Sequence, residues 1–155
     1  MFAMEPTAPP PTAVVDLALV SSSPAQVLLH DHTSFWQSPQ VRVNAGQSCR
    51  SAVRDAARRW WQLADPRIGD CVGVPWSRPP ELPGRGPVER RRLVLVLLPP
   101  GIPRPHAGPA ATPASWWPVT RLVNGEVPTR PAELAVFLDG YLQGWLPDGQ
   151  HALDW

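Results

Sequence analysis

Residues 36–63 read WQSPQVRVNAGQSCRSAVRDAARRWWQL, and the spacing of apolar residues changes inside them. The first part, WQSPQVRV (36–43), holds a short extended piece that is broken at residues 46–48. From Ser48 on, Ala52, Val53, Ala56, Ala57, Trp60 and Leu63 recur at steps of three and four, with Arg50, Arg54, Asp55 and Arg58 between them. That spacing predicts an amphipathic helix over 48–63, with Ser48 as N-cap and Asp65-Pro66 as its stop. Trp60 sits on the apolar stripe, so Trp61 is the tryptophan expected to be exposed enough to stack on a base or a partner.

Upstream, residues 13–20 (AVVDLALV) and 26–30 (QVLLH) are short β-branched and leucine-rich runs parted by Ser21, Ser22, Ser23 and Pro24, which reads as a hairpin. Downstream, residues 68–74 (IGDCVGV) and 90–98 (RRRLVLVLL) read as strands. The unbroken apolar run of the second predicts a central strand buried on both faces. Two proline-rich stretches, 75–88 and 99–113, read as long loops, and 114–119 (ASWWPV) as an edge strand, because Pro118 cannot donate into a central ladder. Pro131 suits a first helical residue, followed by a stripe of Leu134, Ala135, Leu138, Tyr141, Leu142 and Trp145. Strands, a helix, more strands and a terminal helix give an α/β or α+β fold, a mixed sheet with helices on its faces. Residues 1–12 are expected to be a proline-rich disordered tail, 13–146 a single domain and 147–155 a C-terminal tail.

The chain has 155 residues, 43% of hydrophobic type and 17% charged, with a formal net charge of +1. This composition excludes a wholly disordered or fibrous chain. The near-neutral balance argues against a dedicated nucleic-acid binder. All 14 basic residues are arginine, which points to a high-GC bacterial source. Two cysteines, Cys49 and Cys71, are too few for a disulfide scaffold and fit a reducing cytoplasm. Residues 1–12 lack the basic start and apolar core of a signal peptide, and the most apolar run, 93–98, is far short of the ~20 residues that cross a bilayer. A cytoplasmic protein without membrane attachment is expected.

The segment 36–63 resembles the box of the Nudix hydrolases, which runs W-x-L-P-G-G-x-x-E-x-G-E-s and then A-A-x-R-E-L-x-E-E-x-G-L. Laid without a gap, Trp36, Pro39, Gly46, Ser48, Ala52 and Leu63 match it. The strands on either side, the tryptophan segment and the proline-started last helix extend the resemblance over residues 13–146, which implies a Nudix-like mixed sheet sandwiched between helices.

The family's box implies glutamates that hold divalent metal against a substrate diphosphate, and none of them is present. Its first glycine falls on Val41, its loop glutamate on Gln47, its arginine on Asp55, and its three helix carboxylates on Ala56, Arg59 and Trp60. Shifting the helix by one residue puts Arg58 and Arg59 at the last two carboxylate positions, so the loss stands in either alignment. Magnesium takes hard oxygen ligands; alanine and tryptophan offer none, and a guanidinium repels the ion. The Mg²⁺ expected of the family is therefore predicted lost, with no catalytic residues and no metal ligands remaining in the box.

Three readings follow. The first is a pseudoenzyme that binds a nucleotide or diphosphate ligand, with Arg50, Arg54 and Arg58 sharing one helix face and Trp61 stacking. The second is a protein–protein interaction module, with self-association as one form of it. The third is an active hydrolase of a nucleoside diphosphate derivative using other acids, such as Glu81, Glu89 or Glu126. A His30-Asp31-His32 triplet adds a weak metal motif without a third ligand nearby in sequence.

Overall fold

The computed structural model describes residues 13–75, 90–105 and 113–155. The expected tail at 1–12, Glu81, Glu89 and His106 lie outside the described residues.

The N-terminal hairpin is built from β1 (Ala13–Ser22) and β2 (Ala25–Asp31), antiparallel with Ser22 opposite Ala25. The turn is thus only Ser23-Pro24, and the serines before it belong to the strand. Two short strands, β3 (Trp36–Gln37) and β4 (Gln40–Val43), lead into α1 (Cys49–Trp61). β5 (Arg67–Pro75) and β6 (Arg90–Leu97) follow, antiparallel to each other, and β6 runs parallel to β1. The tryptophan segment forms β7 (Ala114–Pro118), paired among the described residues to β2 alone, and then α2 (Val119–Val123), β8 (Thr129–Arg130), α3 (Leu134–Gln143) and β9 (Gly149–Leu153). The sheet order is β8-β3-β2-β1-β6-β5-β9, with β4 added to β1 and β7 to β2, so the mixed sheet curls around its centre.

Alternation along β1 and β6 sorts the core into two layers. Val15, Leu17, Leu19, Val94 and Val96 meet Val53, Ala56, Ala57 and Trp61 of α1 on one face. Ala18, Val20, Leu93 and Leu95 meet α2 and α3 through Leu122, Leu134, Phe137 and Leu138 on the other. Burial on both faces is the reason these strands read as unbroken apolar runs. Each fully buried leucine contributes about 1.5–3 kcal/mol relative to exposure.

Several elements differ from expectation. Residues 147–155 are not a free tail: β9 pairs in parallel with β5, from Cys71 opposite Gly149 to Pro75 opposite Leu153. The Cys71 thiol also donates to the Pro147 carbonyl at 3.3 Å, and the terminal Trp155 indole reaches the buried Asp16. The first helix stops at Trp61, before Asp65-Pro66, because Gln62 turns left-handed at φ +54° and its amide closes onto the Arg58 carbonyl. The last helix starts at Leu134 rather than Pro131, whose carbonyl instead accepts from the Leu134 amide. Trp145 lies past the helix end, 55% exposed, so the stripe closes at Leu142. None of the helices among the described residues is long and apolar enough to cross a membrane.

Candidate functional site: the β4–α1 cleft

The loop between β4 and α1 is a tight turn in which the Gln47 amide donates to the Asn44 carbonyl at 3.0 Å. Gly46 takes φ +79°, a left-handed conformation that glycine adopts without steric cost. Ser48 then caps the helix, its Oγ accepting from the Ser51 amide at 3.1 Å. The Gln47 side chain is used at both ends. Its Oε1 accepts from the Asn44 amide at 3.4 Å and its Nε2 donates to Asp55 Oδ2 at 3.2 Å. The loop is thereby tied to the second turn of α1.

The five remaining box positions can be placed individually. Val41 is buried in β4. Asp55 is exposed and receives Gln47. Ala56 is fully buried in the α1 core. Arg59 is exposed, its guanidinium 6.0 Å from the centre of the Trp60 ring. Trp60 is half-buried and meets Trp61 edge-on at 5.6 Å. The first turn of α1 carries no acid. A neutral amide already engaged at both ends, a buried methyl, a guanidinium and an indole do not fit a divalent cation. The described residues hold no group of three His, Cys, Asp or Glu side chains placed to bind a metal.

The expected ligand contacts on α1 are redistributed. Arg50 pairs with Asp70 of β5 at 3.5 Å, and Arg58 Nε donates to the Ala64 carbonyl at 3.2 Å. Arg54 is exposed, with no hydrogen bond or ion pair among the described residues. Trp61 corrects the expectation of an exposed stacking ring: it is buried at 6% exposure, on the i+4 row that continues Val53 and Ala57 into the core.

A cleft of about 400 Å³ opens instead between this loop and the N-terminal ends of β1 and β6. Among the described residues its walls are 44–49, Ala13 and Val43, and its charged lining is Arg90 and Arg92. The register places Arg90 opposite Ala13 and Arg92 opposite Val15, on the α1 face of the sheet. Arg91, between them, points to the other face. Among the described residues, no carboxylate lines the cleft. Residues 90–92 read only as the start of a strand in the sequence; the signal available was a run of three arginines entering the most apolar strand, where alternation must send two to one face.

Arg91 serves a second polar cluster. Asp16, fully buried in β1, accepts from Arg91 Nη2 at 3.4 Å, from Gln40 Nε2 at 3.2 Å and from Trp155 Nε1 at 2.8 Å. Burial pushes the Asp16 carboxyl above its usual 3.8, opposed by the Trp155 hydrogen bond, the Arg91 charge and the Gln40 amide.

The histidine triplet does not converge. His30 is buried with Nδ1 3.2 Å from the Pro113 carbonyl, whereas β2 ends at Asp31 and the exposed His32 stacks on Phe35 at 5.2 Å. Glu126 is ion-paired with Arg121 at 3.0 Å, and His151 lies in β9 with Nε2 2.6 Å from the Pro147 carbonyl.

No protein-family model matches the sequence, and no curated protein matches it. Solved structures do. The Nudix domain of Shewanella oneidensis NrtR, crystallised with ADP ribose, is similar at TM-score 0.55 and 15% identity, over 86% of this chain and 88% of that one. MutT studied from Aliivibrio salmonicida and Vibrio cholerae is similar at 0.53 and 16% identity, over 86% and 98%. The MutT protein of Bacillus halodurans gives 0.52 and 16%, over 84% and 82%. The chain has the fold of the Nudix hydrolases.

Proposed function

We propose that this protein binds a nucleotide or other diphosphate-type ligand in the β4–α1 cleft through arginine rather than through metal, and that it has lost metal-dependent pyrophosphohydrolysis. The observation that supports this reading is the lining: Arg90 and Arg92 face the cleft and, among the described residues, no carboxylate does. A guanidinium offers paired N–H donors that match two phosphate oxygens and stays protonated at any working pH. The N-terminus of the 13-residue α1 opens onto the same cleft through Ser48 and Cys49, adding the positive end of the helix dipole. The loss of hydrolysis is supported by the same features: among the described residues no set of His, Cys, Asp or Glu side chains is placed to hold an ion that would polarise the phosphoryl group or activate water. One structural neighbour of this fold was crystallised with ADP ribose, a nucleoside diphosphate derivative, and this class of ligand is the one assigned here.

Calorimetric titration with ADP ribose, in EDTA and in magnesium, tests the reading. Equal binding in both, weakened at least tenfold in Arg92→Gln and in Arg90→Gln, with no product formed, supports it. Binding that needs magnesium, or cleavage abolished by EDTA, contradicts it and favours a hydrolase with acids from elsewhere in the chain. A protein-partner reading draws on the exposed Trp145 and Val136, both 55% accessible. It is favoured if the chain ignores every diphosphate and co-purifies with a partner lost in Trp145→Ala.

A further inference from the structure

A second cleft, of about 520 Å³, lies at the far end of the same two strands. Val20 and Leu97 are paired at this end, and Ala13 and Arg90 at the other. Seven residues of strand at about 3.3 Å each set the two clefts about 23 Å apart. The far cleft is within the 300–1,000 Å³ range typical of small-molecule sites. Its wall is mostly apolar: Val20, Leu97, Leu98, Pro99, Pro100 and Leu142. The polar groups that interrupt it are Ser22, the phenol of Tyr141 and the guanidinium of Arg67.

Tyr141 and Arg67 are placed by the fold. A Cβ at Gly69 would stand 3.1 Å from the Tyr141 hydroxyl and 3.2 Å from Leu95 Cβ, so the absence of a side chain there lets the phenol lie close over β5. Arg67 begins β5 opposite Leu97, at the cleft mouth. Neither the phenol oxygen nor the Arg67 guanidinium has a hydrogen-bond or ion-pair partner among the described residues. Burial raises the Tyr141 pKa, while the Arg67 charge acts in the opposite direction, which places the guanidinium within electrostatic reach of the ring. Asp70 and Asp148 also act on the phenol, but neither lines the cleft. Arg104 lies in the adjoining groove beyond Ser22, where its guanidinium donates to Gln26 Oε1, and among the described residues Arg67 is the cation that lines the cleft itself.

The geometry points to a second ligand site, for a small carboxylate with a compact apolar body: the body against Val20, Leu97 and Leu142, the carboxylate accepting from Tyr141 and pairing with Arg67. The guanidinium is donor-only and charged, and the phenol O–H can donate beside it, so the pair favours an anionic head that accepts from both. A bulky polyphosphate would leave the apolar wall unused.

The probe is 2-naphthoate, with 2-naphthamide as its uncharged counterpart, titrated into the full chain by calorimetry and by amide chemical-shift mapping. One saturable site is expected, with the amide at least tenfold weaker. Arg67→Gln is expected to lose at least tenfold, Tyr141→Phe severalfold, and Arg92→Gln nothing. In the unaltered chain the shifts should centre on Leu97, Tyr141 and Leu142, a readout that stands even if a variant fails to fold. Absence of saturable binding, equal affinity for the amide, or shifts centred on residues 44–49 would overturn the assignment. Because Arg92 belongs only to the other cleft, failure here leaves the diphosphate reading intact, and the converse holds.

Discussion

Gln47 Nε2 donates to Asp55 Oδ2 at 3.2 Å, joining the β4–α1 loop to the helix it precedes. In the Nudix pattern these two positions carry a carboxylate on the loop and a guanidinium on the helix. Here the carboxylate is on the helix and the loop side chain is neutral, so complementary partners remain with the acidic side exchanged. Gln47→Glu sets two carboxylates face to face, and stability should fall by up to about 1 kcal/mol, the contact being exposed. Adding Asp55→Arg should restore it. A denaturation cycle over the two single variants and the double variant should therefore show favourable coupling, and strictly additive changes would show that the two side chains do not interact.

The end of the same helix yields a second prediction. Gln62 sits at φ +54°, at the position where the family pattern has glycine, with its side chain folded back onto the Arg59 carbonyl at 3.4 Å. A residue with a Cβ pays about 1 kcal/mol or more for a left-handed conformation that glycine adopts freely. Gln62→Gly should stabilise the protein by up to about 1 kcal/mol in urea unfolding, with diphosphate binding in the cleft unchanged. A loss of stability would mean that the side-chain contact outweighs the backbone strain.

Much of this architecture was legible because single elements carry strong periodic signals. The α1 pattern and the β6 run each reflect the environment they occupy: one apolar face for a helix laid on a sheet, two for a central strand. What was not legible depended on partners distant in sequence. GQHAL at 149–153 has no strand pattern of its own and is extended because β5 offers it an open edge. The five-residue α2 and two-residue β8 are too short for any period to register. Trp61 is more deeply buried than expected, and Trp60 packs against the core only in part, because both continue i+4 rows of the apolar stripe and only the docking angle of α1 decides which row is central. In the cleft, the lost carboxylates were legible residue by residue, but Arg90 and Arg92 became visible only once β6 was seen to lie beside β1.

Trp155 and Asp16 give a third prediction, across 139 positions of sequence. Trp155→Phe removes the indole donor from a fully buried carboxylate, and leaving such an acceptor unpaired costs about 1–3 kcal/mol. Urea unfolding should show a loss of that order, and β9 amides should exchange faster with solvent. A change below about 0.5 kcal/mol would indicate that the C-terminal residue does not fasten the sheet.

Two buried groups should give stability opposite pH dependences. Burial lowers the His30 pKa below 6.5, opposed by the Pro113 carbonyl and reinforced by His32. The unfolded chain then binds a proton at higher pH than the folded one, so this contribution is full above pH 6.5 and is lost as pH falls through that value towards the folded pKa. Asp16 has the reverse sign. Its pKa is raised above 3.8, so the folded state holds the proton to higher pH, and its contribution is most favourable below 3.8 and declines as pH rises through the folded value. His30→Gln should reduce the loss of stability on acidification below about pH 6.5, and Asp16→Asn should steepen it. Unfolding free energies measured from neutral to acid pH read both slopes; slopes unchanged from the parent chain would contradict the assignment.

Titrating the full chain with Mn²⁺ and following the free ion by electron paramagnetic resonance tests the loss of metal binding most directly. With Ala56, Arg59 and Trp60 at the carboxylate positions and Arg90 and Arg92 in the cleft, the free-ion signal should rise in proportion to added manganese at every concentration up to the millimolar range. A stoichiometric loss of free signal at micromolar manganese, reversed by a chelator and mapped to α1, would contradict it.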